Sequence, residues 1–499
     1  MSRLSSPSPD PPTAGLLDWL ESCGASFSSV KFPCLHPKLG YRCALAKEDI
    51  EPHQPIVGIP FECMVCVPNC LRNPQDRLGV ILREMWLNQT IGGDGLLALC
   101  ISREVKRGEA SSFYPYLVFL IKTAEPGTIS KWSDDEREDL QDGITSKRAE
   151  ERNVSELRMH SRVVATVMRY AQQKDPESYL ETSEALDDIP AELFVWSYHI
   201  IQARAFGRRL PWTSLVPLAD CFNHANLPVR YALDTVGDGS VGGAKGCTTD
   251  PGEKAGTFTL FPSGDNRYSR GCEIFNSYGR RNNSHLLLDY GFAMFENEWE
   301  TVNVRISLTK GEAPAEISAY EHRRAALRDL GYKSVRTVKL QRGYFVEDGL
   351  LMFRVANVDP DETDNGLQYE TLDLLRPLDK NVEIRALVGI MSVIREVGQG
   401  EWTTSIDEDE VELASLTQDG EAAEACFRKK AALEYRLTRK LIVSEVLQKL
   451  ERAYLILTGS SERGKEEMEE VPADKKKESR DERYEFYLES IRSLADKNS

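Results

Sequence analysis

The sequence predicts an α+β chain of more than one domain, and three observations carry this. Short apolar runs bounded by turn residues stand at Arg42 to Ala46, Pro55 to Ile59 and Phe258 to Phe261, which is the pattern of strands. Between the second and third lies a long stretch, at about 78–206, that reads as mostly helical. Beyond residue 306 apolar residues recur at helical spacing almost to the end of the chain. At 499 residues the chain also exceeds what one hydrophobic core normally serves.

Composition narrows the class further. Hydrophobic residues make up 41% and charged residues 28%, the balance of a globular domain rather than of a disordered or membrane-embedded chain. No apolar run reaches the roughly 18 residues that a membrane helix needs. The net charge of -17 argues against direct nucleic-acid binding, which requires clustered Lys and Arg. An acidic surface can steer a basic protein partner, or it can simply serve solubility. Residues 1–14, MSRLSSPSPDPPTA, lack the apolar core of a signal peptide and read as a disordered leader. The 11 cysteines are odd in number and scattered, as in a reduced cytoplasmic or nuclear protein. Cys63, Cys66 and Cys70 open like a zinc site, but no fourth ligand stands nearby, so the expectation is buried or incidental thiols and no metal.

In chain order, Leu16 to Leu20 forms one face of a short amphipathic helix that ends near Gly24 and docks through Trp19. GYRCALAKEDIEPHQPIVGIP, from Gly40 to Pro60, reads as two strands around a turn at Glu51 and Pro52. Within the helical stretch, FVWSYHIIQARAF places aromatic and aliphatic residues at helical spacing, with Arg204 isolated among them. PLADCFNH, from Pro217 to His224, is an apolar run ending in a polar turn. Its Asn-His end offers an amide, an imidazole and two backbone edges at one point. Gly237 to Gly256 is a flexible insertion; it lacks the GK[ST] of a phosphate loop. FNSYGRRNNSHLLLDYGF follows, from Phe275 to Phe292.

After a strand at Asn303 to Leu308 the pattern turns helical at Glu321 to Leu330, Val382 to Ile394 and Ala422 to Leu457. Val443, Leu447, Leu450, Tyr454 and Leu457 share one helix face, the mark of a packed helical domain or of a partner helix in a coiled coil. A mixed charge run at 460–483 reads as a solvated linker, and Tyr484, Tyr487, Ile491 and Leu494 mark a terminal docking helix.

Taken singly, NH or YG is a weak signal. The ordered set is specific: A…DI…IP around Ala46, Asp49, Ile50, Ile59 and Pro60, then AR.F at Arg204, then PLAD..NH, then YG…N..LLL.YGF. This set resembles the SET-domain protein methyltransferases, in the branch of the Rubisco large-subunit lysine methyltransferase. Cys43, Ala203 and Cys272 depart from the family pattern, and Gly40 stands where relatives often carry an acidic residue. The resemblance implies a SET-domain β-fold over 15–305 with a helical insertion, a mostly α-helical substrate-binding domain over 306–458, and a charged tail over 459–499.

It also implies S-adenosylmethionine as cofactor and a set of roles. Tyr290 would be the main catalytic tyrosine and Tyr278 its partner at the transfer pore. Gly40, Tyr41, Arg42, Arg204, Asn223, His224 and Phe292 would hold the cofactor. Asp220, Arg208 and Tyr231 would face the substrate, and Asn283 would be a structural anchor.

The chemistry agrees with what the sequence lacks. Methyl transfer to an amine is an in-line displacement that needs alignment and a dry channel rather than a nucleophile or metal. GxSxG and HExxH are both missing. A free lysine has a pKa of about 10.4, so the channel must favour the neutral amine, and aromatic walls do so by desolvation. The expectation is a protein-lysine N-methyltransferase acting as a monomer on a non-histone protein, with ribosomal or translation proteins as candidates. Two alternatives stay open: a histidine methyltransferase of the same fold, and a catalytically silent scaffold that binds partners.

Overall fold

The structure is a computed structural model, described for residues 9–36, 41–124, 127–174, 176–207, 209–235, 255–308, 313–358, 376–418, 424–459 and 482–496. Gly40, Arg208, most of the glycine-rich insertion and most of the charge run lie outside the described residues. Contacts divide the chain into two units. One comprises Met1–Asp134, Ile144–Phe292 and Ser415–Arg428; the other comprises Asp135–Gly143, Ala293–Ala414 and Lys429–Ser499.

The first helix, Pro11–Ser22, begins inside the stretch expected to be a disordered leader. The reason is local. Asp10 caps it by accepting the Thr13 N–H at 2.9 Å, and prolines are tolerated in a first turn because their missing N–H would have no helical partner. The helix buries Leu16 and Leu20 and stops before Gly24, whose φ is +80°. Trp19 packs against the same core, half-buried.

The strands of the first unit are β1 (Val30–Leu35), β2 (Arg42–Ala46), β3 (Val57–Pro60), β4 (Asn223–His224), β5 (Val229–Thr235), β6 (Ala255–Pro262) and β7 (Phe275–Asn276). β1 pairs antiparallel with β2, and β6 lies between β3 and β5, antiparallel to both. β4 and β7 form a two-residue parallel ladder, Asn223 opposite Phe275 and His224 opposite Asn276. The sequence pattern predicts no strand at β1, which carries Pro33, a residue that cannot donate to a ladder.

Between β3 and β4 run the helices Arg77–Leu87, Gly93–Arg107, Tyr114–Thr123, Gly143–Lys174, Pro176–Asp187 and Ala191–Arg204. Ile59, Phe61, Leu96, Leu97, Tyr116, Leu215 and Phe258 from strands, helices and loops meet in one core. Burial of each such side chain stabilises the fold by about 1.5–3 kcal/mol. Cys63, Cys66 and Cys70 lie in this core, and burial pushes the Cys66 thiol up to about 12. Among the described residues no group of three or more His, Cys, Asp or Glu side chains is arranged to hold a metal ion.

The second unit holds β8 (Val302–Ser307) antiparallel to β9 (Val335–Leu340) and a set of helices. Its core includes Val304, Leu350, Leu387, Ile390, Leu450 and Leu457, joined by Tyr487 and Ile491 of the helix Glu482–Asp496. Inside it the Arg354 guanidinium meets Glu383 through two hydrogen bonds of 2.8 Å, and the Tyr487 hydroxyl donates to the same carboxylate at 2.6 Å. The segment Asp135–Gly143 belongs to this unit although it interrupts the helical stretch of the first. Lys429 holds Asp139 at 2.7 Å and Tyr435 donates to Asp142, which accounts for the assignment. Among the described residues no helix is long and apolar enough to cross a membrane.

Candidate active site

The site grows from three chain segments that arrive at one place. β2 is hydrogen-bonded to the segment before β7: Gly271 and Ile274 donate to Ala46 and Ala44 at 2.8 Å, and Ala46 donates to Cys272 at 2.9 Å. That segment continues into β7, which is laddered to β4. Arg42, Asn223 and Tyr278 thereby converge, though about 240 residues separate the first from the last.

The PLAD turn needs an unusual backbone. Leu218 is buried with φ of +66°, a left-handed conformation that costs a leucine about 1–3 kcal/mol. The turn Ala219–Cys221 that follows sets Asp220 inward. There the Tyr116 hydroxyl donates to Asp220 at 2.7 Å, and Arg204, the last residue of its helix, donates to the Asp220 carbonyl at 3.1 Å and carboxylate at 3.3 Å. Asp220 raises the Arg204 pKa above its ordinary value against the desolvation that would lower it. Burial, then the Asp220 charge, pushes the Tyr116 hydroxyl well up.

Tyr290 is placed by its helix, Asn283–Tyr290. Asn282 caps the start, accepting the His285 N–H at 3.0 Å, and Gly291 ends it with φ of +83°. A Cβ on Gly291 would stand 2.1 Å from the Gly127 carbonyl oxygen, so only glycine allows this close approach. Asn283 is fully buried. His285 is exposed on the cap, bonded to Asn282.

Three aromatic rings then stack in sequence, with a fourth at their edge. His224 lies over Tyr278 with centroids 4.9 Å apart, and Tyr278 lies over Tyr290 at 4.6 Å, both pairs nearly parallel. Phe292 closes one edge, within 6.1–6.3 Å of all three. The Tyr278 hydroxyl donates to the Phe222 carbonyl at 3.0 Å, and its backbone N–H donates to His224 Nδ1 at 3.2 Å. Burial raises the Tyr278 pKa, with Arg204 opposing, and pushes Tyr290 up to about 12. Both are therefore neutral phenols at physiological pH. Burial lowers the His224 pKa, so its imidazole is neutral too.

Two different environments adjoin the stack. On one side the Asn223 side-chain amide donates to the Arg42 carbonyl at 3.0 Å and to Glu273 at 2.8 Å, and Tyr41 donates to the other oxygen of Glu273 at 3.1 Å. On the other side opens a cleft of about 1180 Å³, to which Tyr278, Tyr290, Arg204, Asp220 and Tyr231 all contribute. Of the twelve site residues expected from the sequence, ten are described and gather here. Tyr41, Arg42, Asn223, His224 and Phe292 stand off the cleft; Arg204, expected on the cofactor, lines the cleft with the expected substrate residues. Glu273 and Tyr116, which clasp Asn223 and Asp220, were not among the expected residues. Their only sequence signal is the acidic residue in CEIF and the tyrosine in FYPYL.

No family model matches the chain. A curated relative, the ribosomal lysine N-methyltransferase set10 of Schizosaccharomyces pombe, is 22% identical over 276 residues, 54% of this chain. The match spans 43% of that relative's length. Among solved structures, Rubisco LSMT bound to sinefungin and monomethyllysine superposes with a TM-score of 0.63 and 16% identity, covering 90% of this chain and 94% of that one. The SET domain of LSMT bound to lysine and AdoHcy gives 0.60 and 17%, covering 91% and 94%. The chain therefore has the SET-domain fold of the Rubisco LSMT structures.

Proposed function

We propose that the protein is an S-adenosylmethionine-dependent protein-lysine N-methyltransferase. The observation that carries this is the Tyr278–Tyr290 stack, two nearly parallel rings that line an open cleft and adjoin the hydrogen-bonded cluster of Asn223, Arg42 and Glu273. Bound S-adenosylmethionine supplies an electrophilic methyl group. The residues off the cleft suit such a molecule. His224 Nδ1 accepts the Tyr278 N–H, which leaves Nε2 as the donor of the neutral ring, and buried Nε2 has no partner among the described residues. A buried donor without an acceptor is costly unless a ligand provides one. Phe292 offers an aromatic face, Asn223 a carbonyl oxygen, and β4 and β7 short stretches of backbone edge.

The cleft-side residues suit the acceptor amine. Two neutral tyrosines desolvate it and lower its pKa, and Tyr290 can hold it in line through its hydroxyl. Asp220 is fixed by Tyr116 and Arg204 and so orients without acting as the base.

The substrate proposed is a non-histone protein, with ribosomal or translation proteins as the first candidates, a reading that the name of the set10 relative supports; the compartment proposed is the cytoplasm or the nucleus. The test is incubation of the pure protein with isotopically labelled S-adenosylmethionine and cell extract, then with lysine-only and histidine-only peptides from the labelled site. Label on a lysine side chain is expected. Label confined to histidine, or no binding of the methyl donor by calorimetry, would replace this reading with one of its alternatives.

A further inference from the structure

The cleft carries a charge opposite in sign to that of the chain. Arg162, Arg204, Arg209, Arg280 and Arg281 line it against Asp94, Asp220 and Asp289. That is a local balance of two positive charges in a chain of net charge -17. The carboxylates are also engaged: Asp220 by Arg204 at 3.3 Å, Asp289 by Arg152 at 2.7 Å, and Asp94 by the Thr213 hydroxyl at 3.0 Å. The arginines come from separate elements: the helix Gly143–Lys174, the helix Ala191–Arg204, the loop after that helix, and the turn after β7. All but Arg204 are exposed. Arg281 and Tyr290 both line the cleft.

Resting on the lysine methyltransferase reading, we propose that this cleft selects target lysines flanked by aspartate or glutamate. A lysine arrives as an ammonium ion, and a basic cleft repels it while lowering its pKa. The first effect opposes binding and the second assists transfer. Carboxylates on the flanking residues resolve the conflict, because they pair with the exposed Arg162 and Arg209 in charge-assisted hydrogen bonds and offset the repulsion, while the tyrosine rings desolvate the amine itself. The cleft of about 1180 Å³ is far larger than a lysine side chain, so the flanks fall within it. Trp212 lines the same cleft and adds an aromatic surface to it. The acidic chain around the cleft opposes a nucleic acid. The net charge of the chain concerns long-range attraction of a basic protein; the cleft reads the residues beside the target.

The experiment uses peptides with one lysine and acidic, neutral or basic flanks, with binding by fluorescence anisotropy and methyl transfer by mass spectrometry. Acidic flanks are expected to raise kcat/KM at least about 10-fold over basic flanks, mostly through KM, with a smaller difference at high salt. The double variant Arg162→Glu, Arg209→Glu should reverse the order of binding and leave affinity for S-adenosylmethionine unchanged. Equal binding of all flanks, preference for basic flanks, or displacement of the acidic peptide by a single-stranded RNA oligonucleotide at lower concentration would overturn the proposal. Acidic-peptide binding without methyl transfer to lysine would leave it standing and sink the lysine reading instead.

Discussion

The two sides of the tyrosine stack are built by opposite means. On the Asn223 side the polar groups are tied to protein partners: the Asn223 amide to Arg42 and Glu273, and Tyr41 to Glu273, with His224 Nε2 the exception. On the cleft side exposed arginines surround a space of about 1180 Å³. Pre-organised groups lose little on binding, which suits a small ligand of fixed shape. A wide charged cleft suits peptides of varied sequence, from which it selects by sign of charge.

The sharpest way to break this comparison is at the stack itself. Tyr290→Phe keeps the ring and removes the hydroxyl, so methyl transfer should fall about 10²–10³-fold while donor affinity stays within about twofold. Single-turnover kinetics with calorimetry checks it; unchanged turnover would remove Tyr290 from its role. A smaller effect on chemistry but a larger one on the fold is expected from Gly291→Ala. Its left-handed φ and the 2.1 Å approach to Gly127 leave no room for a Cβ. Thermal denaturation should show a loss of about 3 kcal/mol, with activity lost in step as Tyr290 is displaced.

The least effect is expected from pH. The folded pKa of His224 lies below its unfolded value of about 6.5. The unfolded chain then binds more protons as pH falls, so the stability contributed is complete above that value and is lost below it. His224→Asn should flatten the fall in melting temperature between about pH 6.5 and 5. Tyr290, at about 12, stays protonated across the working range, so a rise in rate from pH 7 to 9 belongs to the lysine amine.

Much of this was legible in the sequence, and the reasons differ by region. The strand Arg42–Ala46 and the helix Ala191–Arg204 announce themselves through period and bounding turns. The β4–β7 ladder does not, because two residues cannot show a period. Asn223, His224, Tyr278 and Tyr290 were picked out by ordered resemblance, and the ring stack brings three of them into contact. Glu273 and Tyr116 stayed hidden because their partners are 50 and 104 residues away in the chain. The sign of charge in the cleft was hidden by the net charge, since arginines from four elements meet only in the folded chain.

The most direct test of the two-sided site is a paired titration by calorimetry. Wild type, Asn223→Ala and Arg209→Glu are each titrated with S-adenosylmethionine and with an acidic-flanked lysine peptide. Asn223→Ala should weaken the methyl donor about 10-fold or more and spare the peptide, and Arg209→Glu should do the reverse. If both variants weaken both ligands alike, or the wild type binds no methyl donor, the division of the site by the Tyr278–Tyr290 stack is contradicted.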